Sequence, residues 1–298
     1  MNLLITGAWQ NGKASIETLQ QLGHAVAFLQ QEKDPLPCDA AWVEGVVCNG
    51  LFLHHPLACF PNLKYIQLTS AGFDRVPMEE VSRRGITVRN ARGVYSAPMA
   101  EYALGGVLQL YKQFAFFREN QKQHRWEKHR GLLELTGKQV CIVGCGSVGS
   151  ECAKRFQAFG CRVNGIATTG RTQPFFETVR PMEELDESLE TADIVVLTLP
   201  LTEKTRHLFD TTRLARMKPG AVLVNIARGA VVDIDALIRA LHSGHLGGAV
   251  LDVFEDEPLG EDSPLWDMEH VIITPHNSFV GDNVQYRLTE LICNNLKV

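Results

Sequence analysis

The 298-residue sequence predicts an α/β protein with a doubly wound parallel-sheet domain and a second, smaller α/β domain, and three observations lead there. The apolar run 140–143 stops abruptly at Gly144-Cys145-Gly146-Ser147-Val148-Gly149, after which Cys152, Ala153, Phe156 and Phe159 recur at helical spacing. From Thr136 onward, short apolar runs alternate regularly with helix-like stretches. A looser alternation of the same kind fills residues 1–93. A chain of this length suits about two domains, each with its own core.

In the first domain the strand candidates are Leu3-Leu4-Ile5, 25–29, 45–48, 65–68 and Ile86-Thr87-Val88. Helices are expected over 15–22 and 78–83. Gly7 and Gly12 bound a loop that lacks the spacing of the later glycine triplet and reads as a plain turn. Ser96 is a good N-cap and Pro98 falls in the first turn of a helix expected to run to about Gln123. Gly105 and Gly106 inside it suggest close approach of another backbone. This helix is read as the connector into the second domain.

The second domain is expected to hold six strands, at 139–143, 162–166, 194–199, 221–226, 249–253 and 271–274. Helices are expected at 150–159, 182–190, 211–217 and 234–243. A last amphipathic helix, about 283–296, comes too late to join that sheet and is expected to return to the first domain. The domains are therefore read as 1–93 with 277–298, and 94–276.

A hydrophobic fraction of 45% with 21% charged residues is ordinary for a globular protein. The formal net charge of -5 offers no basic footprint for nucleic acid or an anionic membrane surface. No apolar run approaches the roughly 18 residues of a membrane span. Residues 1–7 lack a basic n-region and resemble a first buried strand, so a cytoplasmic protein is expected. The eight cysteines include no Cys-x-x-Cys pair. They read as small buried hydrophobes in a reducing compartment, with neither disulfides nor a metal. Cys145, inside the glycine loop, is placed to be alkylation-sensitive.

A glycine triplet between strand and helix suits a dinucleotide. Gly144 permits the turn, Gly146 lets the backbone approach a pyrophosphate, and Gly149 lets helix pack on strand. The helix N-terminus adds unpaired N–H groups and a positive dipole end. In the first domain, the Ala71 and Gly72 N–H groups follow the strand ending at Leu68. They read equally as a cradle for a small carboxylate or as a glycine turn.

Three residues sit just past the carboxyl ends of strands in the second domain: Arg228, Glu257 and His276. Their types suit reduction of a 2-oxo acid. Arginine grips a carboxylate with a fixed fork of donors. Histidine can give a proton to the carbonyl. An adjacent glutamate orients the ring and favours its charged form.

At these residues the chain resembles the D-isomer-specific 2-hydroxyacid dehydrogenases, the family that includes glyoxylate/hydroxypyruvate reductases and phosphoglycerate dehydrogenase. The motifs that carry the resemblance are Glu134-Leu135-Thr136-Gly137-Lys138, Met217-Lys218-Pro219-Gly220-Ala221, Asn225-Ile226-Ala227-Arg228-Gly229, Leu251-Asp252-Val253-Phe254-Glu255-Asp256-Glu257-Pro258-Leu259 and Thr274-Pro275-His276. The resemblance implies a Rossmann dinucleotide domain beside a smaller flavodoxin-like substrate domain. It places catalysis on Arg228, Glu257 and His276, and substrate binding on Ala71, Gly72, Arg228 and His276. It places the cofactor on Gly144, Gly146, Ser147, Val148, Gly149, Pro200, Thr205, Ile226, Ala227, Arg228, Asp252 and His276, with Asp252 as the nicotinamide-amide partner. It also implies a D-2-hydroxy acid product and a homodimer, with Trp126 as a packing or dimer-interface anchor.

The sequence departs from the family at the end of the second strand of the cofactor domain. NAD users usually place an acid there for the adenosine ribose. Here the position is Ala167, followed by Thr168, Thr169, Gly170 and Arg171. Hydroxyls and an arginine welcome a 2'-phosphate, so NADP(H) is favoured and NAD(H) remains possible. Asn277-Ser278-Phe279 also departs from the family pattern and leaves substrate size open. The reading is a reductase of small 2-oxo acids such as glyoxylate or hydroxypyruvate. The alternatives are an NAD(P)(H)-sensing protein of corepressor type and phosphoglycerate dehydrogenase.

Overall fold

Twelve strands, most of them short apolar runs bounded by turn residues, form in the computed structural model, which describes residues 1–297. In chain order the first are β1 (Asn2–Thr6), α1 (Ile16–Gln21), β2 (Ala25–Leu29), β3 (Gly45–Cys48), β4 (Tyr65–Leu68), α2 (Met78–Arg83) and β5 (Thr87–Arg89). Then come α3 (Ser96–Tyr111), α4 (Phe114–Lys122), β6 (Gln139–Val143), α5 (Ser147–Ala158), β7 (Arg162–Ala167), β8 (Thr178–Pro181) and α6 (Leu185–Thr191). The chain continues through β9 (Ile194–Leu197), α7 (Thr211–Arg216), β10 (Val222–Asn225), α8 (Ile234–His242), β11 (Gly248–Leu251), β12 (Val271–Ile273) and α9 (Val284–Leu296). Two compact units result: Met1–Tyr95 together with the chain from Gly281, and Ser96–Val280.

The smaller unit carries a five-stranded parallel sheet in the order β2-β1-β3-β4-β5, the flavodoxin-like arrangement. Strands β3 and β4 are buried at every residue, as expected of a sheet covered on both faces. Helix α9 presents Val284, Leu288, Ile292 and Leu296 at four-residue spacing to a core shared with Leu3, Ile5 and Trp9. Trp9 Nε1 donates to Thr289 Oγ1 at 3.1 Å, and Asn295 Nδ2 donates to Gln67 Oε1 at 2.9 Å, so α9 is tied as well as packed.

The larger unit carries a seven-stranded parallel sheet, β12-β11-β10-β9-β6-β7-β8. The strand order reverses between β6 and β9. The loop after β6 therefore opens at the switch point, where doubly wound sheets bind ligands.

The structure corrects the expected elements at several places. The seventh strand, β8, is additional to the six the sequence predicts: of Thr178-Val179-Arg180-Pro181 only Val179 is buried, so this edge strand lacks an apolar run. The first-domain strand expected at 86–88 lies one residue later, at Thr87–Arg89. The helix expected to run to Gln123 breaks at Gln113, which sits in the left-handed region at φ 53°. There the Tyr111 carbonyl, which would bond onward in a helix, accepts the Leu133 N–H at 3.0 Å instead. Ser96 lies inside α3, and its buried Oγ has no hydrogen-bond partner among the described residues, so it caps nothing. At Gly106 the close neighbour is a side chain, because a Cβ there would lie 2.6 Å from Val250 Cγ1. A Cβ at Gly105 would meet nothing within 4 Å.

Candidate active site

The site grows from three loops that leave the carboxyl ends of β9, β10 and β11, and from the turn after β12. Asn225 ends β10 fully buried. Its Oδ1 accepts the Ala227 N–H at 3.1 Å, and its Nδ2 donates to the Arg228 carbonyl at 3.1 Å. This clip turns the chain so that half-buried Arg228 faces a cavity of about 380 Å³. Glu257 and His276 line the same cavity. Glu257 Oε1 accepts the Phe254 N–H at 3.0 Å, and Oε2 lies 2.9 Å from His276 Nδ1. A carboxylate only accepts, so Nδ1 carries the proton and Nε2 is left for chemistry.

His276 sits at φ 50°, a left-handed conformation that costs a non-glycine residue energy and needs its surroundings to hold it. Asp252 supplies that hold. It is fully buried. Its Oδ1 accepts Thr274 Oγ1 at 2.5 Å and the Asn277 N–H at 2.7 Å, its Oδ2 accepts the Ser278 N–H at 3.0 Å, and its carbonyl accepts the His276 N–H at 2.8 Å. Tyr102 Oη extends the chain to Thr274 Oγ1 at 2.6 Å. The carboxylate assigned by resemblance to the nicotinamide amide thus grips the turn that carries His276.

The glycine loop follows β6 directly. Gly144 is at φ 105°, and a Cβ there would lie 2.7 Å from Leu199 N. A Cβ at Gly149 would lie 2.1 Å from the Gly144 carbonyl oxygen, so α5 can sit against the turn only as it is. At Gly146 a Cβ would meet nothing within 4 Å, and the loop opens outward there. Ser147 and Val148 begin α5, where N–H groups have no partner inside the helix. Thr168 and Arg171 lie exposed beyond the end of β7. Pro200 and Thr205 form one turn: Thr205 Oγ1 accepts the Thr202 N–H at 2.7 Å and donates to the Pro200 carbonyl at 2.8 Å. Ile226 and Ala227, which lead into Arg228, are buried.

Cys145 departs from its expected reactivity. Its Sγ lies 3.6 Å from the Ile166 carbonyl, and burial pushes the thiol up to about 11. Little thiolate exists at neutral pH, which disfavours alkylation. Trp126 is 96% exposed, so it anchors no packing within this chain. In the smaller unit, Ser70 Oγ donates to the Gly72 carbonyl at 3.0 Å and Asn90 Nδ2 to the Ala71 carbonyl at 2.6 Å. Those bonds shape the turn that carries the Ala71 and Gly72 N–H groups.

Four further residues shape the site: Asn225 and Glu255, which stand inside the family motifs without an assigned role, and Arg206 and His207, which carry no sequence signal. Glu255 stands two residues before Glu257, and Arg206 and His207 follow Thr205, but one-dimensional spacing does not show that the three meet.

A family model for the NAD-binding domain of the D-isomer specific 2-hydroxyacid dehydrogenases matches residues 104–278. The chain belongs to the D-isomer specific 2-hydroxyacid dehydrogenases. It is 37% identical over 244 residues to a glyoxylate reductase of Thermofilum pendens, covering 79% of this chain and 71% of the relative. A family member from Xanthobacter autotrophicus, solved in complex with NADPH and MES, superposes with a TM-score of 0.82 at 30% identity, over 99% of this chain and 94% of that one. A D-lactate dehydrogenase from Aquifex aeolicus, complexed with NAD and lactic acid, gives 0.81 at 28% identity over 99% and 94%.

This 2-hydroxyacid dehydrogenase is an oxidoreductase that acts on a CH–OH group with a nicotinamide cofactor. Its glycine loop fits such a group. The outward-open space at Gly146, in front of the N-terminus of α5, is where a pyrophosphate can meet backbone N–H groups and the positive helix end. Among the described residues no cluster of three metal-ligating side chains occurs. No described helix is long and apolar enough to cross a membrane.

Proposed function

We propose that this dehydrogenase reduces a small 2-oxo acid of glyoxylate or hydroxypyruvate size, with NADPH as the preferred cofactor, to the D-2-hydroxy acid. The observation that carries the chemistry is the contact between His276 Nδ1 and Glu257 Oε2, at 2.9 Å beside Arg228 on one cavity. Arg228 holds the substrate carboxylate through its planar fork. In its doubly protonated form His276 gives its Nε2 proton to the carbonyl oxygen, which leaves the Nδ1–H tautomer, and in the reverse direction that tautomer takes the proton back from the hydroxyl. Glu257 keeps the ring in the tautomer and orientation that direct Nε2 at the substrate. A bound nicotinamide would supply the hydride that the substrate's C2 accepts. Backbone N–H groups from Ser147 to Gly149 hold the pyrophosphate, and Ala71 and Gly72 are the carboxylate cradle of the smaller unit.

The preference for NADPH rests on the end of β7. Ala167 stands where a ribose-binding acid would repel a 2'-phosphate, and exposed Thr168 and Arg171 supply a hydroxyl and a cation. The homodimer rests on the family resemblance, and Trp126, at 96% exposure, is free to serve as its interface anchor. The deciding experiment is a cofactor-by-substrate matrix of kcat/KM on purified protein. It is expected to peak at NADPH with glyoxylate or hydroxypyruvate. A peak at NADH, or at a larger 2-oxo acid, would replace the corresponding half of the proposal.

A further inference from the structure

We propose that Glu255 is a positioning residue for the reaction: gripped by Arg206 and His207, it fixes the 254–257 turn that carries Glu257 to His276. This rests on the reading of His276 as the proton donor. The turn needs an anchor. Residues 255–258 are exposed and make no backbone–backbone hydrogen bond among the described residues. Inside the turn, the Phe254 N–H bond to Glu257 sets the shape of the hairpin but not its place. Beyond the buried Phe254, the exposed part of the turn is tied down by Glu255, whose Oε1 accepts Arg206 Nη1 at 2.5 Å and whose Oε2 lies 2.8 Å from His207 Nε2.

The arm that holds Glu255 is rigid. The His207 N–H donates to the Ala230 carbonyl at 2.7 Å, and the Phe209 N–H to Val231 at 3.0 Å, so the loop after β9 is laced to the loop after β10. The loop after β10 in turn has no clearance from the turn. A Cβ at Gly229, next to Arg228, would fall 1.8 Å from the Phe254 carbonyl carbon. Three successive loops thus form one block, and Arg228 and Glu257 are two points on it. His207 shares the left-handed conformation of His276, at φ 47°. Each of these two constrained histidines meets one of two glutamates placed two residues apart.

The titratable and charged groups around Glu255 are Arg206 and His207 from the loop after β9, and Arg228, Glu257 and His276 on the same cavity. The hydrogen bond with His207, together with Arg206, outweighs desolvation and holds the Glu255 carboxyl below the usual carboxylate range, so the anchor is charged at neutral pH. Exposed ion pairs of this kind add little to stability. A role in placement therefore predicts a loss of rate without a loss of fold.

The test compares the full chain with its Arg206→Ala, Glu255→Ala, Arg206→Lys and His276→Gln variants, using glyoxylate and NADPH. Both alanine variants are expected to lose about tenfold in kcat, as a misplaced catalytic group does, with the NADPH KM and the Tm unchanged. The primary isotope effect from 4-deuterated NADPH is expected to rise, and Arg206→Lys to recover most of the rate. Wild-type kcat in both alanine variants, beside an inactive His276→Gln enzyme, would overturn the role of Glu255 alone. A rate loss matched by a fall in Tm and not recovered by lysine would also overturn it. A fully active His276→Gln enzyme would remove the proton-donor reading and this inference with it.

Discussion

Glu257 and His276 share one hydrogen bond, Oε2 to Nδ1 at 2.9 Å, while the other carboxylate oxygen accepts the Phe254 N–H at 3.0 Å. The carboxylate is thereby immobilised before it touches the ring. The imidazole inherits that fixed direction, with Nε2 as its one remaining nitrogen.

Replacing His276 by glutamine removes the proton donor and leaves the glycine loop untouched. A loss of about 10²–10⁴ in kcat is expected, with NADPH binding by fluorescence titration unchanged. Turnover at the wild-type rate would take His276 out of the mechanism.

Arg228→Lys keeps the charge but loses the planar fork. The kcat/KM for the 2-oxo acid is expected to fall by roughly tenfold or more, against a much smaller change in the NADPH KM. Equal losses for substrate and cofactor would argue that Arg228 does not grip the substrate carboxylate.

At the end of β7, Ala167→Asp restores an acid where a ribose would accept it and a 2'-phosphate would not. The ratio of kcat/KM for NADPH over NADH is expected to drop by about tenfold or more. Arg171→Ala is expected to lower the ratio in the same direction. A ratio unmoved by both changes would place the cofactor's adenosine elsewhere.

The neighbouring glycines of α3 should answer oppositely to alanine. Gly106→Ala sets a methyl 2.6 Å from Val250 Cγ1 and is expected to cost about 1–3 kcal/mol. Gly105→Ala meets nothing within 4 Å and is expected to gain about 0.5–1 kcal/mol. Thermal denaturation of the two variants decides the matter, and shifts of the same sign would contradict the packing described.

Asp193 joins the amino-terminal edges of the larger sheet, accepting Lys218 Nζ at 2.8 Å and the Gln139 N–H at 2.9 Å. Burial, which alone would raise it, is outweighed by these two bonds and the charges of Lys138 and Lys218, so its carboxyl titrates below the usual range. A carboxyl lowered on folding adds stability above its unfolded value and loses it as pH falls through the folded value. Asp193→Asn is therefore expected to lower Tm at neutral pH, with the gap closing below about pH 4. A gap that stays constant through acid would exclude this pairing as the cause.

The local elements were legible in the sequence because their signals are local. Residues 140–149 combine an apolar run, a glycine triplet and a helical period, and they fold as β6, turn and α5. Strand β8 was not legible, because an edge strand needs one buried face and Val179 alone supplies it. The break at Gln113 was hidden too, since it depends on a hydrogen bond from Leu133, twenty-two residues past Tyr111. Strand ends and turns are written in nearest neighbours, so the residue types past each strand, Arg228, Glu257 and His276 among them, follow from the chain alone. That Asp252 grips the His276 turn, and that Arg206 and His207 hold Glu255, emerges with the packing of the folded chain. Those contacts join residues 20 to 50 positions apart, and their partners are selected by the packing of adjacent parallel strands rather than by any spacing along the chain.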